Sequence, residues 1–226
     1  MISNETVCST WRLYVILDRA AAGGRDLAEL ARAAIRGGAD VLQLRDKCAA
    51  DDEFLRQAER VQAVAGRAGI PLIINDRIAI ARSSGAAGVH LGQDDPPLAE
   101  ARRALGPGAI LGKSTHSLAQ AVSAEREGAD YIGCGPVYAT PTKPAYEPVG
   151  LRLVSGVSRA VGVPVVCIGG IDETRLPDVL AAGGTRIAVV RAVCAAADPA
   201  EAARALKTML VRVSREHGRT DRGSRS

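Results

Sequence analysis

Residues 37–47 read Gly37-Gly38-Ala39-Asp40-Val41-Leu42-Gln43-Leu44-Arg45-Asp46-Lys47. Glycine closes helices because it enters the left-handed conformation without a Cβ penalty. The short apolar run that follows has the length of a buried strand. Side chains alternate along a strand, so Gln43 and Arg45 share one face and Leu42 and Leu44 the other. With the leucines turned toward helices, Gln43 and Arg45 point into whatever the sheet encloses. The segment upstream carries Leu27, Leu30, Ala31, Ala34 and Ile35 at i, i+3, i+4, i+7 and i+8, one face of an amphipathic helix. Helix, glycine joint and strand therefore form one unit.

The joint recurs as Gly85-Ala86-Ala87-Gly88, Gly128-Ala129-Asp130 and Gly183-Gly184-Thr185. Strands are predicted at Leu13–Leu17, Val41–Leu44, Leu72–Ile74, Gly88–Leu91, Ile110–Gly112, Tyr131–Gly133, Val163–Ile168 and Arg186–Val190, with helical patterns between them. Eight strand–helix units in a chain of 226 residues predict an α/β fold, a single-domain (β/α)8 TIM barrel. A doubly wound sheet is the alternative, disfavoured because no G-x-G-x-x-G follows the first strand. The catalytic domain is expected over residues 1–213, with a disordered basic tail over 214–226.

Composition narrows the function classes. Aromatics are 3% of the chain, which argues against stacking on nucleic-acid bases. The net charge of +4 resides in residues 207–226, which hold six Lys or Arg and two acids. The body is neutral, so neither a nucleic-acid nor a membrane partner is expected. The five cysteines include no C-x-x-C pair, and no secretory pattern precedes them. Cys134 and Cys167 read as small buried hydrophobes, and a cytoplasmic location is expected. Homo-oligomerisation stays open.

In this fold the active site lies at the C-terminal strand ends, and polar residues gather at six of them. Arg45 and Lys47 fit a diphosphate clamp; for Arg45 the competing reading is a structural ion pair with an internal carboxylate. Asn75-Asp76 and His90-Leu91-Gly92-Gln93-Asp94-Asp95 end neighbouring strands, so carboxylates from both could share one hard cation such as Mg²⁺. One of Asp94 and Asp95 is expected to cap the next helix. Ser114 stands near the end of strand 5, and Ser117 reads as a helix cap. The loop from Gly135 to Pro144, with Thr140, Thr142 and Lys143, suits a phosphate. So does Gly169-Gly170 before a helix. The residues alone yield two anion sites and one metal site at one mouth.

Together, Gln43-x-Arg45-x-Lys47, Asn75-Asp76, His90-x-Gly92-Gln93-x-Asp95, Gly112-x-Ser114, Gly135-Pro136, Thr140-x-Thr142-Lys143 and Ile168-Gly169-Gly170-Ile171 resemble the thiamin-phosphate synthase family. The match runs from Trp11 to Val193. The resemblance implies condensation of hydroxymethylpyrimidine diphosphate with hydroxyethylthiazole phosphate, both small phosphorylated molecules, by a dissociative route with Mg²⁺. Gln43 would hold the pyrimidine, and Arg45, Lys47, Asn75 and Lys143 the diphosphate. Asp76 and Asp95 would bind the metal. Ser114 would contact the pyrimidine and the leaving group. Thr140, Thr142 and Gly170 would hold the thiazole phosphate. Catalysis would fall to Arg45, Ser114 and Lys143. Three features depart from the family pattern: the loop from Asp18 to Arg25, Lys113 and Arg191. Rival readings are a thiazole tautomerase on the same barrel, using a histidine near His116, and a non-catalytic sensor of phosphorylated ligands.

Overall fold

In the computed structural model, residues 3–142 and 147–223 are described, with side chains up to residue 212. Eight parallel strands close on themselves in chain order: β1 (Leu13–Asp18), β2 (Val41–Arg45), β3 (Leu72–Asn75), β4 (Gly88–Leu91), β5 (Ile110–Thr115), β6 (Tyr131–Cys134), β7 (Val165–Ile168) and β8 (Ile187–Val189). β8 returns to pair with β1, Leu13 against Ile187. The fold is the (β/α)8 barrel that the sequence predicts.

Strand ends differ from expectation by a few residues. β5 runs on to Thr115 because Lys113, Ser114 and Thr115 pair with Ile132, Gly133 and Cys134 of β6. β7 starts after Pro164, whose ring nitrogen has no hydrogen to give the ladder; its carbonyl still accepts from Ile132 N at 3.0 Å.

The helices are α1 (Asn4–Ser9), α2 (Leu27–Arg36), α3 (Asp51–Arg67), α4 (Ile78–Ser83), α5 (Leu98–Leu105), α6 (Leu118–Arg126), α7 (Gly150–Ala160), α8 (Leu176–Ala181), α9 (Arg191–Cys194) and α10 (Pro199–Gly223). Leu27, Leu30, Ala31 and Ala34 of the α2 stripe are buried as expected and Ile35 is half-buried, and Asp26 caps its start by accepting from Ala28 N and Glu29 N. Ser117 caps α6. The Asp94–Asp95 expectation is corrected: the N-cap of α5 is Pro97, which makes no side-chain cap bond. Of the disordered tail expected over 214–226, the backbone of residues 214–223 continues α10, and residues 224–226 lie outside the described residues. None of the described helices is long and apolar enough to cross a membrane.

Strand alternation sorts the core into two layers. One face of each strand packs on the helices, through Leu13, Val15, Leu17, Leu42, Leu44, Leu72 and Ile74 among others. The other face fills the barrel with Tyr14, Ile16, Val41, Ile73, Ile110, Tyr131, Val166 and Ala188. The α1 segment closes the bottom: Cys8 and Trp11 belong to the interior cluster, and the Trp11 ring meets Tyr131 edge-on at 5.3 Å. Room for Tyr131 comes from Gly112, where a Cβ would lie 2.3 Å from the tyrosine ring and 2.4 Å from His90 Nδ1. Cys134 and Cys167 are buried, as expected, and burial pushes the Cys134 thiol up to about 11.

Candidate active site

Because β1 and β2 run parallel in register, Asp18 lies opposite Arg45 at the top of the barrel. Their side chains form an ion pair that is almost dry: the Asp18 side chain is 3% exposed and that of Arg45 14%. The structural ion pair read for Arg45 is therefore present, and the same side chain is also placed at the cavity. One Nη is bound to Asp18, yet Arg45 lines the main cavity. Its Nε is buried with no hydrogen-bond partner. A guanidinium so placed has donor capacity left for an anion.

The cavity measures about 390 Å³, within the range of small-molecule sites. Gln43, Arg45, Asn75, Ser114, Thr140, Thr142 and Gly170 all line it. Ile16, Val166 and Ala188 add apolar wall. Seven of the eleven expected site residues thus meet in one space. The other four, Lys47, Asp76, Asp95 and Lys143, are not among its described lining. Asp76, which follows the cavity residue Asn75, binds Lys47 through its carboxylate and contacts Asp95. Lys143 lies outside the described residues.

The Asp76 backbone carries φ 62, the one left-handed non-glycine conformation among the described residues. Aspartate tolerates this region better than most residues, and the turn aims the carboxylate across to β4's exit. There Asp95 accepts from Gly92 N at 2.6 Å. Burial first, then the charge of Asp95, pushes the Asp76 carboxyl up despite Lys47. Burial also acts on Asp95, but the bonds from Asp76 and Gly92 N and the charges of Lys47 and Lys113 hold it below the usual range. Two carboxylates forced together favour sharing a proton or a cation. Among the described residues no group of three or more His, Cys, Asp or Glu forms a metal site. A pair of carboxylates leaves most positions of an octahedral ion to water and phosphate, the arrangement Mg²⁺ prefers.

Lys113, one of the departures from the family pattern, is only 7% exposed. It sits between the inward residues Gly112 and Ser114, so it points behind the barrel wall, and its charge acts on Asp95.

The opposite corner is built from loops. The segment after β6 is pinned onto β7 by Val137 N to Ile168 O at 2.8 Å and Tyr138 N to Gly169 O at 3.0 Å. Glycine is required at both positions that follow. Gly169 has φ 102 and Gly170 φ 65; a Cβ on Gly169 would lie 2.4 Å from Pro136, and one on Gly170 2.8 Å from Ala139 O. Thr140 Oγ1 accepts from Thr142 N at 3.3 Å, which folds the threonine turn over the cavity.

Several cavity residues escaped the sequence reading. Arg175 stacks 5.0 Å over the Tyr138 ring and donates to Gly170 O at 2.7 Å. Tyr14 and Tyr131 line the cavity floor beside His90. Alternation alone signals both tyrosines, since Tyr14 shares a face with Ile16 and Tyr131 with Gly133. Arg191 and His116, both singled out from the sequence, line the cavity as well, Arg191 from the start of α9 and His116 with its Nδ1 on Gly135 O.

Comparison with known proteins agrees with this geometry. Residues 13–193 match the family model of thiamine monophosphate synthase. A thiamine-phosphate synthase of Chloroflexus aurantiacus is 46% identical over 91% of this chain and 95% of its own. One from Mycobacterium sp. strain KMS is 50% identical over 88% and 92%. The solved thiamine phosphate pyrophosphorylase of Pyrococcus furiosus superposes with a TM-score of 0.84 at 32% identity, covering 92% of this chain and 98% of that one. A 3-hexulose-6-phosphate synthase, at 19% identity and a TM-score of 0.62, shares the fold.

Proposed function

The chain belongs to the thiamine monophosphate synthase family and is a transferase of thiamine biosynthesis; on that premise we propose how its barrel mouth performs the reaction. The substrates are hydroxymethylpyrimidine diphosphate and hydroxyethylthiazole phosphate, and the products are thiamin phosphate and diphosphate. The observation that carries this reading is the convergence, in one 390 Å³ cavity, of Gln43, Arg45, Asn75 and Ser114 on one side and Thr140, Thr142 and Gly170 on the other.

The pyrimidine ring lies against Gln43 and Ser114. Its diphosphate extends toward Arg45, Asn75 and Lys47, with Lys143 completing the clamp. The thiazole phosphate sits at the threonine turn and the Gly169-Gly170 loop. Asp76 and Asp95 hold Mg²⁺. Their chemistry fits such an ion: two hard oxygen donors in contact, one pushed up by burial and by its neighbour's charge, gain from a shared dication. When bound, the ion supplies charge that offsets negative charge on the leaving diphosphate.

The reaction follows a dissociative course. The bond between the pyrimidine methylene and the diphosphate oxygen breaks, and its electron pair leaves with the diphosphate. The thiazole nitrogen then donates its lone pair to the methylene carbon. Arg45, Lys47 and Lys143 act where charge grows, the electrostatic role that dominates many active sites. The apolar wall of Ile16, Val166 and Ala188 limits water around the cation. No strong general base is needed.

Incubating the protein with both substrates and Mg²⁺, and identifying products by mass, tests the reading. Thiamin phosphate supports it. Interconversion of thiazole isomers without condensation would move the assignment to a tautomerase acting through His116. Bound ligand without any product would make the barrel a sensor.

A further inference from the structure

One hydrogen-bonded path crosses the barrel interior from β2 to β5, through residues that the reaction above leaves without a task. Gln43 Nε2 donates to Tyr14 Oη at 2.8 Å. Tyr14 Oη lies 3.0 Å from Tyr131 Oη, and Tyr131 Oη lies 3.0 Å from His90 Nδ1. His90 Nε2 then lies 2.9 Å from Ser114 Oγ. The two ends, Gln43 and Ser114, both face the cavity. Gln43, Tyr14 and Tyr131 are each no more than 2% exposed.

With His90 neutral and each phenol giving its hydrogen to the next group, such a path carries its hydrogens in one of two orders. A phenol has one hydrogen, and a neutral imidazole has one N–H and one bare nitrogen. When Gln43 donates to Tyr14 and the links run on in that sense, the Tyr14 hydrogen goes to Tyr131 and the Tyr131 hydrogen to His90 Nδ1. His90 then carries its proton on Nε2 and donates to Ser114, whose own hydrogen is left for the cavity. Turning the Gln43 amide over reverses every link. In that order Ser114 donates to His90 and offers the cavity only lone pairs. Burial pushes both phenols up, so neither loses its proton near neutrality. Neighbouring hydrogen bonds of one sense also polarise and strengthen one another.

We propose that Tyr14, Tyr131 and His90 are positioning residues, a one-directional chain that locks the amide of Gln43 and the hydroxyl of Ser114 in matched orientations. Locked this way, Gln43 presents its carbonyl oxygen and its second N–H to the cavity, and Ser114 presents a donor. The complementary ligand edge is a ring nitrogen beside an exocyclic N–H, with an acceptor atom toward Ser114. A ring with N–H beside a carbonyl meets the wrong partners at Gln43 and is rejected, as sites built for a defined hydrogen-bond pattern do. This ligand half rests on the function proposed above; the chain itself does not.

The test is made on ligand-free protein, so its outcome is independent of whether the reaction is assigned correctly. The chain contains three histidines, and nitrogen-15 spectra of histidine-labelled protein, assigned with a His90→Asn variant, report which ring nitrogen is protonated. Wild type is expected to show His90 with a bare Nδ1 and a protonated Nε2. In Gln43→Glu the carboxylate can only accept, so the order reverses and Nδ1 gains a hydrogen. Combining it with Tyr131→Phe breaks the path, and the Gln43 change then leaves His90 as it is in Tyr131→Phe alone. A protonated Nδ1 in wild type overturns the proposal without any variant. So does a folded Gln43→Glu protein, judged by unchanged signals from the other histidines, in which Nδ1 stays bare. A response that persists in the Tyr131→Phe background would also overturn it, because the effect would then be a field across space.

Discussion

Removing the charge of Asp18 should unfold the barrel at a lower temperature and make its stability answer to diphosphate. The Asp18→Asn change keeps the shape and strips the charge from the partner of Arg45. The pair is nearly dry, with side chains 3% and 14% exposed, and Arg45 Nε already lacks a partner. Breaking a buried pair by deleting one partner costs about 3–5 kcal/mol. Arg45 borders an open cavity that admits water, which places the cost at about 2–3 kcal/mol on that scale. For a domain of this size each kcal/mol moves Tm by about 2–4 °C, so the loss should be roughly 5–10 °C. Thermal unfolding followed by circular dichroism measures it. Inorganic diphosphate should then raise Tm more in the variant than in wild type, since an anion in the cavity replaces the missing carboxylate. An Asp18→Asn, Arg45→Met double variant should recover part of the stability and lose the diphosphate response. A Tm within about 1 °C of wild type for the single variant, on the same scale, would refute the claim that Asp18 neutralises Arg45.

Three further outcomes follow from the geometry. Asp76→Ala should abolish turnover and weaken Mg²⁺ binding by calorimetry while leaving the circular dichroism spectrum unchanged, as a ligand pair reduced to one carboxylate would. Gly170→Ala should raise KM for the thiazole phosphate about tenfold or more, because a left-handed residue costs about 1–2 kcal/mol before the 2.8 Å contact with Ala139 O is counted; an unchanged KM would place that phosphate elsewhere. Gly88→Ala should instead damage folding, since its Cβ would lie 1.8 Å from Ile110 O between β4 and β5; a stable and fully active variant would contradict the packing described for the lumen.

The fold was legible because alternation and glycine joints are local signals. Gln43 and Arg45 could be placed inside from two leucines beside them. Asp76 and Asp95 could be brought together because consecutive strands of the barrel lie side by side, β3 against β4. What the sequence hid depends on distance along the chain. Asp18 pairs with Arg45 across 27 residues, and the loop it opens stood out only as unusual. Arg175 follows the glycine loop by five residues, and nothing local says that it turns back onto Gly170 O. Tyr14 and Tyr131 fall inside predicted strands, but their hydroxyl partners lie on other strands, so nothing local marks the path they form. The expected aspartate cap of α5 failed for the opposite reason. The local pattern was sound, but Asp95 makes its bonds to Gly92 N and toward Asp76 instead. The role of Lys143 rests on the family motif alone.

The most direct test of the account is phosphorus NMR of one reaction mixture holding the protein, both phosphorylated substrates and Mg²⁺, run with and without EDTA. The account predicts one diphosphate released for each thiamin phosphate formed, and neither signal once EDTA has removed the metal. Product formation at full rate in EDTA would contradict the carboxylate pair as a metal site. Absence of both products in Mg²⁺ would contradict the barrel mouth as a place where the two substrates meet.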